Sequence, residues 1–201
     1  MNSYKVEQLK IDDDPNGVKA AKLFKYAVSH SIKSDPRYNL IDRPLEEYVG
    51  RDLFVINDYS CSDTGLIIAG GAVLDGGFIA SVFKDNSYAC TKNYKDVLSS
   101  LVAAMIEHGG DRLVCRGSLA ERYRAFGFIP VAHAAPGLID DNYLPDKFYF
   151  YKPKENETLP SKPKKFENYD EAFQYLKAFM KKKKTLAATN RSHFLDDIYI
   201  G

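Results

Sequence analysis

The chain has 201 residues, of which 45% are hydrophobic and 27% are charged, and its formal net charge is +1. This length and composition fit one or two globular domains with a sizeable core, and they exclude an intrinsically disordered chain. A net charge so close to zero gives no overall electrostatic preference for nucleic acid or for a membrane surface.

The N-terminal part of the chain predicts a strand followed by two helices. Residues 4–9 alternate polar and apolar side chains, which is typical of a strand. In the following "DDDPNG", Asp14 is suited to cap a helix and Pro15 to occupy its first position. Apolar residues then recur at helical spacing. Residues 43–50, "RPLEEYVG", predict a short helix that ends at its glycine.

A run of strands follows, and a long helix comes after it. The predicted strands are 52–58, 66–75 and 78–84. The pair Gly70-Gly71 inside the second of these strands indicates a bulge or the close approach of another segment. Apolar residues at helical spacing predict the helix over 93–108.

The rest of the chain predicts short strands, a short helix and a C-terminal extension. The strands are 112–116, 128–134 and 147–152, and the short helix is 118–126. The order β-α-α-β-β-β-α-β-α-β-β predicts an α/β fold with a parallel pairing around the long helix. Residues 153–168 are rich in Pro, Lys and Glu and predict a linker. Residues 169–201 predict an amphipathic helix and a tail.

Two local patterns together resemble a known family. One is the antiparallel three-strand run 52–84 that leads into the long helix, and the other is "LAERYRAFGFIPVA" at 119–132. Both are similar to the GNAT superfamily of acyl-CoA-dependent N-acyltransferases, whose signature is Tyr, three residues, then Gly-Phe. The resemblance implies a GNAT-like domain over 1–152, with a mixed, mostly antiparallel central sheet flanked by helices. Within the superfamily, "GGFIASVFK" and "YRAFGFIPVAHA" look most like divergent members encoded by bacteriophages and mobile elements.

The resemblance also implies where acetyl-CoA and an acceptor amine would bind. In the superfamily the fourth strand diverges from the fifth, and its free backbone groups bind the acyl-pantetheine arm. By resemblance, the strand positions that do this here are Ile79, Ala80, Ser81, Val82 and Phe83. Preorganised N–H donors would stabilise the oxyanion that forms when an amine attacks the thioester. The acceptor would be an amine-bearing small molecule or protein.

Tyr123 lies where the superfamily's general acid often lies. A phenol keeps its proton at neutral pH, because its ordinary pKa is near ~10, and it is able to protonate a departing thiolate. The alternative is a structural role, in which the ring of Tyr123 packs against the sheet.

The loop "KDNSYACTKNYK" at 84–95 departs from the superfamily pattern. GNAT enzymes use glycines there, so that backbone N–H groups close on the pyrophosphate at a helix N-terminus. This loop has no glycine, and a Cβ on every residue hinders that approach. Lys84, Lys92 and Asn93 are the candidate phosphate ligands. Either side chains bind the phosphates, or CoA does not bind.

Other reactive side chains are weaker candidates. Cys90 precedes a predicted helix N-terminus, which would lower a thiol pKa, but no Cys-His-Asp pattern supports a nucleophile. Asp58 and His133 are candidates for a general base, with a structural role favoured for His133. The sequence has no metal-ligand spacing, so we expect no metal.

The basic C-terminal third leaves a second function open. Residues 152–184 contain ten lysines against five acidic residues, which would suit an acidic partner or a nucleic-acid backbone. The alternative to an acyltransferase is therefore a catalytically inactive GNAT-like phage accessory or virion protein that acts by binding. The odd cysteine number and the N-terminus without a signal peptide predict a cytoplasmic protein, in the host cytoplasm if phage-encoded, with no membrane partner.

Overall fold

In the computed structural model of the protein, the chain divides into two compact units, residues 1–113 and 114–201. The predicted boundaries at 152 and 168 stay a prediction. The residues that the structure describes are 5–35, 42–59, 65–88, 96–134, 137–139, 142–144, 147–155, 157 and 159–177.

The first unit contains a mixed, mostly antiparallel sheet. Its elements are β1 (Val6–Gln8), α1 (Val18–Ser34), a 3₁₀ turn (Leu45–Glu47), β2 (Asp52–Asp58), β3 (Leu66–Leu74), β4 (Phe78–Lys84), α2 (Val97–Glu107) and β5 (Arg112–Arg116), in which the unit boundary falls. Strands β1 to β4 are antiparallel neighbours in chain order. β5 pairs with β4 in parallel at Phe78↔Arg112 and Ile79↔Leu113. The predicted α/β fold is confirmed.

The glycine pair of β3 lets one helix approach each face of this sheet. A Cβ at Gly70 would lie 2.8 Å from the Phe83 ring and 3.1 Å from the ring of Phe24 in α1. A Cβ at Gly71 would lie 2.8 Å from the side chain of Met105 in α2. Because neighbouring residues of a strand point to opposite faces, α1 and α2 cover the two sides. The predicted close approach is confirmed.

The start of α1 differs in one respect from the sequence prediction. The helix begins at Val18 and its N-cap is Gly17, so the prediction of Pro15 at the first helical position is wrong. Gly17 has a φ of +69°, and a Cβ there would lie 2.9 Å from the backbone N of Gly50, so the close packing selects glycine. Asp14 still acts as a cap, because its carboxylate accepts a 2.8 Å hydrogen bond from the backbone N–H of Ala20.

The second unit combines a small mixed sheet with short helices. Its elements after β5 are a 3₁₀ turn (Gly117–Leu119), α3 (Ala120–Arg124), β6 (Ile129–Ala134), β7 (Gly137–Ile139), β8 (Asn142–Leu144), β9 (Lys147–Tyr151), β10 (Lys164–Phe166) and α4 (169–177). β6 lies between β9, which is antiparallel to it, and β10, which is parallel to it. β7 and β8 form a separate hairpin.

The segment predicted as a linker, 153–168, contains a strand. β10 pairs with β6, and the ring of Phe166 lies 5.3 Å from the ring of Tyr175 in α4. The hydroxyl of Tyr149 in β9 donates a 2.9 Å hydrogen bond to the backbone oxygen of Tyr169. The predicted amphipathic helix is confirmed as far as residue 177, and the tail lies outside the described residues.

The "YRAFGF" segment ends α3 in a Schellman motif. The N–H of Gly127 donates to the oxygen of Arg124 at 2.8 Å, and the N–H of Phe128 donates to the oxygen of Tyr123 at 3.3 Å. Gly127 has a φ of +80°, the left-handed conformation that this motif requires. The rings of Tyr123 and Phe128 lie 6.3 Å apart, edge to face, which is the apolar contact that accompanies the motif. Helix termination therefore explains the four-residue spacing from Tyr123 to Gly127.

We expect Gly127→Ala to lower the free energy of unfolding by about 1–2 kcal/mol, because a Cβ disfavours the left-handed conformation by that amount. Gly127→Asn is the matched control and should cost less, since asparagine tolerates this conformation. Chemical denaturation of both variants measures the difference. Equal stability of the alanine variant and the wild type would contradict the cap.

Candidate functional site

Strand β4 contains a β-bulge at the positions that the resemblance implicates. Ala80 pairs with Ala72 and Phe83 pairs with Gly70, so Ser81 and Val82 together lie opposite the single residue Gly71. Ser81 has a φ of +51°, which is unusual for a residue with a side chain. A bulge leaves its extra residue outside the ladder and turns the local peptide groups. The regular pairing of β4 with β3 is therefore interrupted in the middle of β4.

A buried pair of hydroxyls lies at this bulge. A 2.7 Å hydrogen bond joins Tyr48 Oη and Ser81 Oγ. Tyr48 is fully buried and Ser81 is 4% exposed. The ring of Tyr48 lies 5.1 Å from that of Phe24, edge to face. Burial raises the pKa of Tyr48, and it outweighs the opposing effect of the hydrogen bond between Tyr48 and Ser81. The phenol is thus a neutral group that anchors the unusual backbone of Ser81 to the core.

We expect Tyr48→Phe and Ser81→Ala to lower the free energy of unfolding by about 1–3 kcal/mol each, because each removes the hydrogen bond between two buried hydroxyls. The double variant should cost less than the sum, with a coupling of about 0.5–3 kcal/mol. A double-mutant cycle by urea denaturation measures this coupling. If the losses of the two single variants sum to the loss of the double variant, the two hydroxyls do not stabilise each other.

The other residues that the sequence analysis named as binding positions also lie in β4. Ile79 and Phe83 are buried, Ala80 is 6% exposed, and Val82 is half-buried. Lys84 is the last residue of β4 and is half-buried. Within the first unit, β5 pairs with the first two residues of β4. Lys92, Asn93 and Cys90 lie outside the described residues, so their roles stay predictions.

A hydrogen-bonded cluster follows directly after β4. Asp85 is 1% exposed, and its carboxylate accepts hydrogen bonds from the backbone N–H of Ser87 at 2.9 Å and from its hydroxyl at 2.6 Å. The hydroxyl of Ser34 in α1 donates to it at 3.1 Å. The Nδ1 of His30 donates at 2.7 Å, and the His30 side chain is 37% exposed. Within the first unit, this cluster ties the end of β4 to the C-terminal half of α1.

The Asp85 carboxylate is charged in the folded protein. Burial raises its pKa, but the hydrogen bonds from Ser87, His30 and Ser34 together outweigh burial, so the pKa lies below its ordinary value. The cluster was not predicted from the sequence. "Asp-Asn-Ser" directly after a strand is a signal for an Asx turn, in which an aspartate accepts from the N–H two residues later. No such sequence signal marks His30 or Ser34, the partners of Asp85 in α1.

The described residues around β4 allow acetyl-CoA to be compared with part of the site. The bulge of β4 lies at the strand positions where the resemblance places the pantetheine arm. At the start of the next loop, however, the N–H of Ser87 already donates to Asp85. Asp96, the N-cap of α2, places a carboxylate at the N-terminus of that helix. The bulge is compatible with the thioester end of the group, whereas Lys92 and Asn93, the phosphate ligands expected from the sequence, lie outside the described residues.

Tyr123 is half-buried in the second unit. Its ring lies 6.3 Å from the ring of Phe128 and 6.4 Å from the ring of Phe150. The ring therefore packs as the structural alternative predicts. The acid role of its hydroxyl stays a prediction.

The two candidates for a general base lie in different units. Asp58 is 2% exposed at the end of β2. His133 lies in β6, with its ring stacked 4.3 Å from that of Phe148. Their catalytic roles stay predictions.

No protein-family model and no curated protein matches the chain. Solved structures similar to it include a GCN5-related N-acetyltransferase from Rhodopseudomonas palustris, an acyl-CoA N-acyltransferase from Pseudomonas aeruginosa and ElaA from Escherichia coli. Their sequence identities to this chain are 12%, 12% and 17%, and each TM-score is 0.46. The matches cover 76%, 76% and 75% of this chain and 96%, 100% and 100% of theirs.

The described part of the chain contains neither a membrane span nor a cluster of metal ligands. No helix there is long and apolar enough to cross a membrane. No group of three or more His, Cys, Asp and Glu side chains there is placed to hold a metal ion. The lysine run at 181–184 lies outside the described residues, so a role in binding an acidic partner stays a prediction.

Proposed function

We propose that the protein is an N-acyltransferase that transfers an acetyl or other acyl group from a CoA-type thioester to an amine. The observation that supports this most strongly is the bulge of β4 at Ser81 and Val82. Strained backbone conformations that the surrounding structure holds in place often occur at functional sites. β5 pairs with β4 at Phe78 and Ile79, and this pairing is compatible with the binding of a ligand by amides further along β4.

Each group that takes part in the proposed acyl transfer has its own role. The thioester supplies the acyl group. The amine nitrogen attacks the carbonyl carbon, the C–N bond forms, and the C–S bond breaks. Backbone N–H groups around Ser81 would hold the negative charge on the carbonyl oxygen, and this kind of preorganised donor is often the largest catalytic contribution. Tyr123 would give its proton to the departing thiolate and regain one from the acylated amine through solvent.

The proposal is tested by incubating the protein with acetyl-CoA and a set of amines that includes polyamines, aminoglycosides and lysine peptides. Free thiol is followed with a chromogenic disulfide, and the acylated product is identified by mass spectrometry. We expect thiol release that depends on both the protein and one class of amine. Release no faster than without protein, for every amine, would count against acyl transfer.

A further inference from the structure

We propose that a cavity beside the turn between β3 and β4 binds the ammonium or guanidinium group of a small molecule. The cavity has a volume of about 260 Å³ and lies within the first unit, on residues 50–52, 73–77 and 108–109. Pockets for drug-sized ligands measure about 300–1,000 Å³, so this one suits a smaller molecule. It lies at the start of β4, the end opposite to Asp85, and the proposal is independent of acyl transfer.

Backbone turns form two walls of the cavity. Gly76 and Gly77 join β3 to β4, and Gly109 follows the end of α2. A Cβ on Gly77 would lie 2.6 Å from the backbone oxygen of Gly109, so the turn and the helix end pack backbone against backbone. A Cβ on Gly109 would have no atom of the described residues within 4 Å, apart from its chain neighbours. The glycines therefore bring the two walls together and leave the space beside Gly109 open.

The charged side chains that line the cavity are mostly negative. Asp52 is half-buried and accepts a 2.7 Å hydrogen bond from the side-chain amide of Gln8, which is neutral and does not offset its charge. Asp75 forms an ion pair with Arg51. The lining thus contains two carboxylates and one guanidinium, and the guanidinium already has a partner.

The C-terminal end of α2 adds to this negative potential. His108 and Gly109, which follow the helix, both line the cavity. α2 has no basic residue in its last turn, so its own side chains do not offset the partial negative charge of the helix end. The Nδ1 of His108 donates a 2.9 Å hydrogen bond to the backbone oxygen of Ala104. A neutral imidazole that donates from Nδ1 has an acceptor at Nε2.

These groups favour a ligand that is positively charged and only donates hydrogen bonds. Ammonium and guanidinium groups are both, and their hydrogen bonds to carboxylates are charge-assisted and strong. A carboxylate or phosphate ligand would instead lie beside Asp52 and the end of α2, where like charges disfavour it. It would also have to compete with Asp75 for Arg51.

Three ligands with the same four-carbon chain test the proposal: butylammonium, butylguanidinium and butyrate. Amide chemical shifts of the ¹⁵N-labelled protein are recorded at constant ionic strength, with those of Gly76, Gly77 and Gly109 as reporters. We expect saturable shifts with one or both cations and none with butyrate, and the tighter cation identifies the group. The proposal is overturned if neither cation shifts these amides at millimolar concentration, or if butyrate shifts them equally.

Asp52→Asn examines the charge of the cavity, because it keeps the shape of the side chain. We expect the dissociation constant of the cation to rise by about tenfold or more, since a hydrogen bond to a charged group contributes that much. Asp12→Asn is the matched control, because Asp12 is an exposed aspartate of the same unit outside the cavity and should not change the affinity. Equal affinities of Asp52→Asn and wild type would overturn the proposal.

Gly109→Asn examines the space of the cavity. Asparagine tolerates the left-handed conformation of this position, where φ is +85°, and its side chain would enter the open space. We expect the shifts of Gly76 and Gly77 on addition of the cation to disappear. Shifts of wild-type size in this variant would contradict binding in the cavity. If a variant does not fold, the three titrations of the wild-type protein still decide the proposal.

Discussion

Tyr123→Phe is expected to reduce turnover by about 10²–10⁴-fold, the usual contribution of a positioned acid, and to leave donor binding unchanged. Phenylalanine keeps the ring that packs against Phe128 and Phe150, so the variant should fold like the wild type. Steady-state kinetics with saturating amine, together with donor titration, separates the loss of turnover from any loss of binding.

Tyr149→Phe is the matched control for this prediction. It removes the hydroxyl of another tyrosine of the second unit, one that donates to the backbone oxygen of Tyr169. We expect it to lower the free energy of unfolding by about 1 kcal/mol and to leave turnover unchanged. Equal turnover of Tyr123→Phe and wild type would reduce Tyr123 to its observed role in ending α3.

Asp85→Ala should produce the largest loss of stability, about 3 kcal/mol at neutral pH. The substitution leaves the donors of Ser87 and His30 without their buried acceptor, and such losses are at the high end for single substitutions. Urea denaturation at pH 7 measures this loss. Asp75→Ala is the control and should stay within about 0.5 kcal/mol, because its side chain is 79% exposed.

The contribution of Asp85 should also depend on pH in a defined direction. Its pKa is lower in the folded protein than in the unfolded chain, where it is near ~3.9. The unfolded state therefore binds the proton more tightly, and the stabilisation is complete above that value. It is lost as the pH falls through the lower pKa of the folded protein. The stability difference between wild type and Asp85→Ala should shrink on acidification below pH ~4, and a difference that grows instead would contradict the cluster.

The strands of the first unit were predictable because their signals are local. β2 and β4 have the predicted bounds, since each is a short apolar run with turn residues on both sides. The close approach at Gly70-Gly71 was also predictable, because a glycine inside a strand usually marks a bulge or a neighbouring segment that leaves no room for a side chain. The "YRAFGF" motif predicted a short helix ahead of a strand.

The parts that sequence reasoning missed depend on partners far apart in the chain or on unusual backbone. Tyr48 and Ser81 are 33 residues apart, and His30 and Asp85 are 55 residues apart, so no local pattern indicates either pair. The left-handed conformation of Ser81 is hidden because serine is not a residue that marks such positions. The polar residues of β10 lack an alternating pattern, so they predict a linker, and the pairing of β10 with β6 became visible only in the fold.

The proposed acyl transfer requires the bulged segment of β4 to bind an acyl thioester through its backbone. Amide chemical shifts of the ¹⁵N-labelled protein, recorded during titration with acetyl-CoA, report on this binding even when it is weak. We predict saturable shifts centred on the amides of residues 80–83, with the amides of β1 unchanged. If the amide chemical shifts of residues 80–83 do not change at millimolar acetyl-CoA, this mode of binding is contradicted, and so is the proposed acyl transfer.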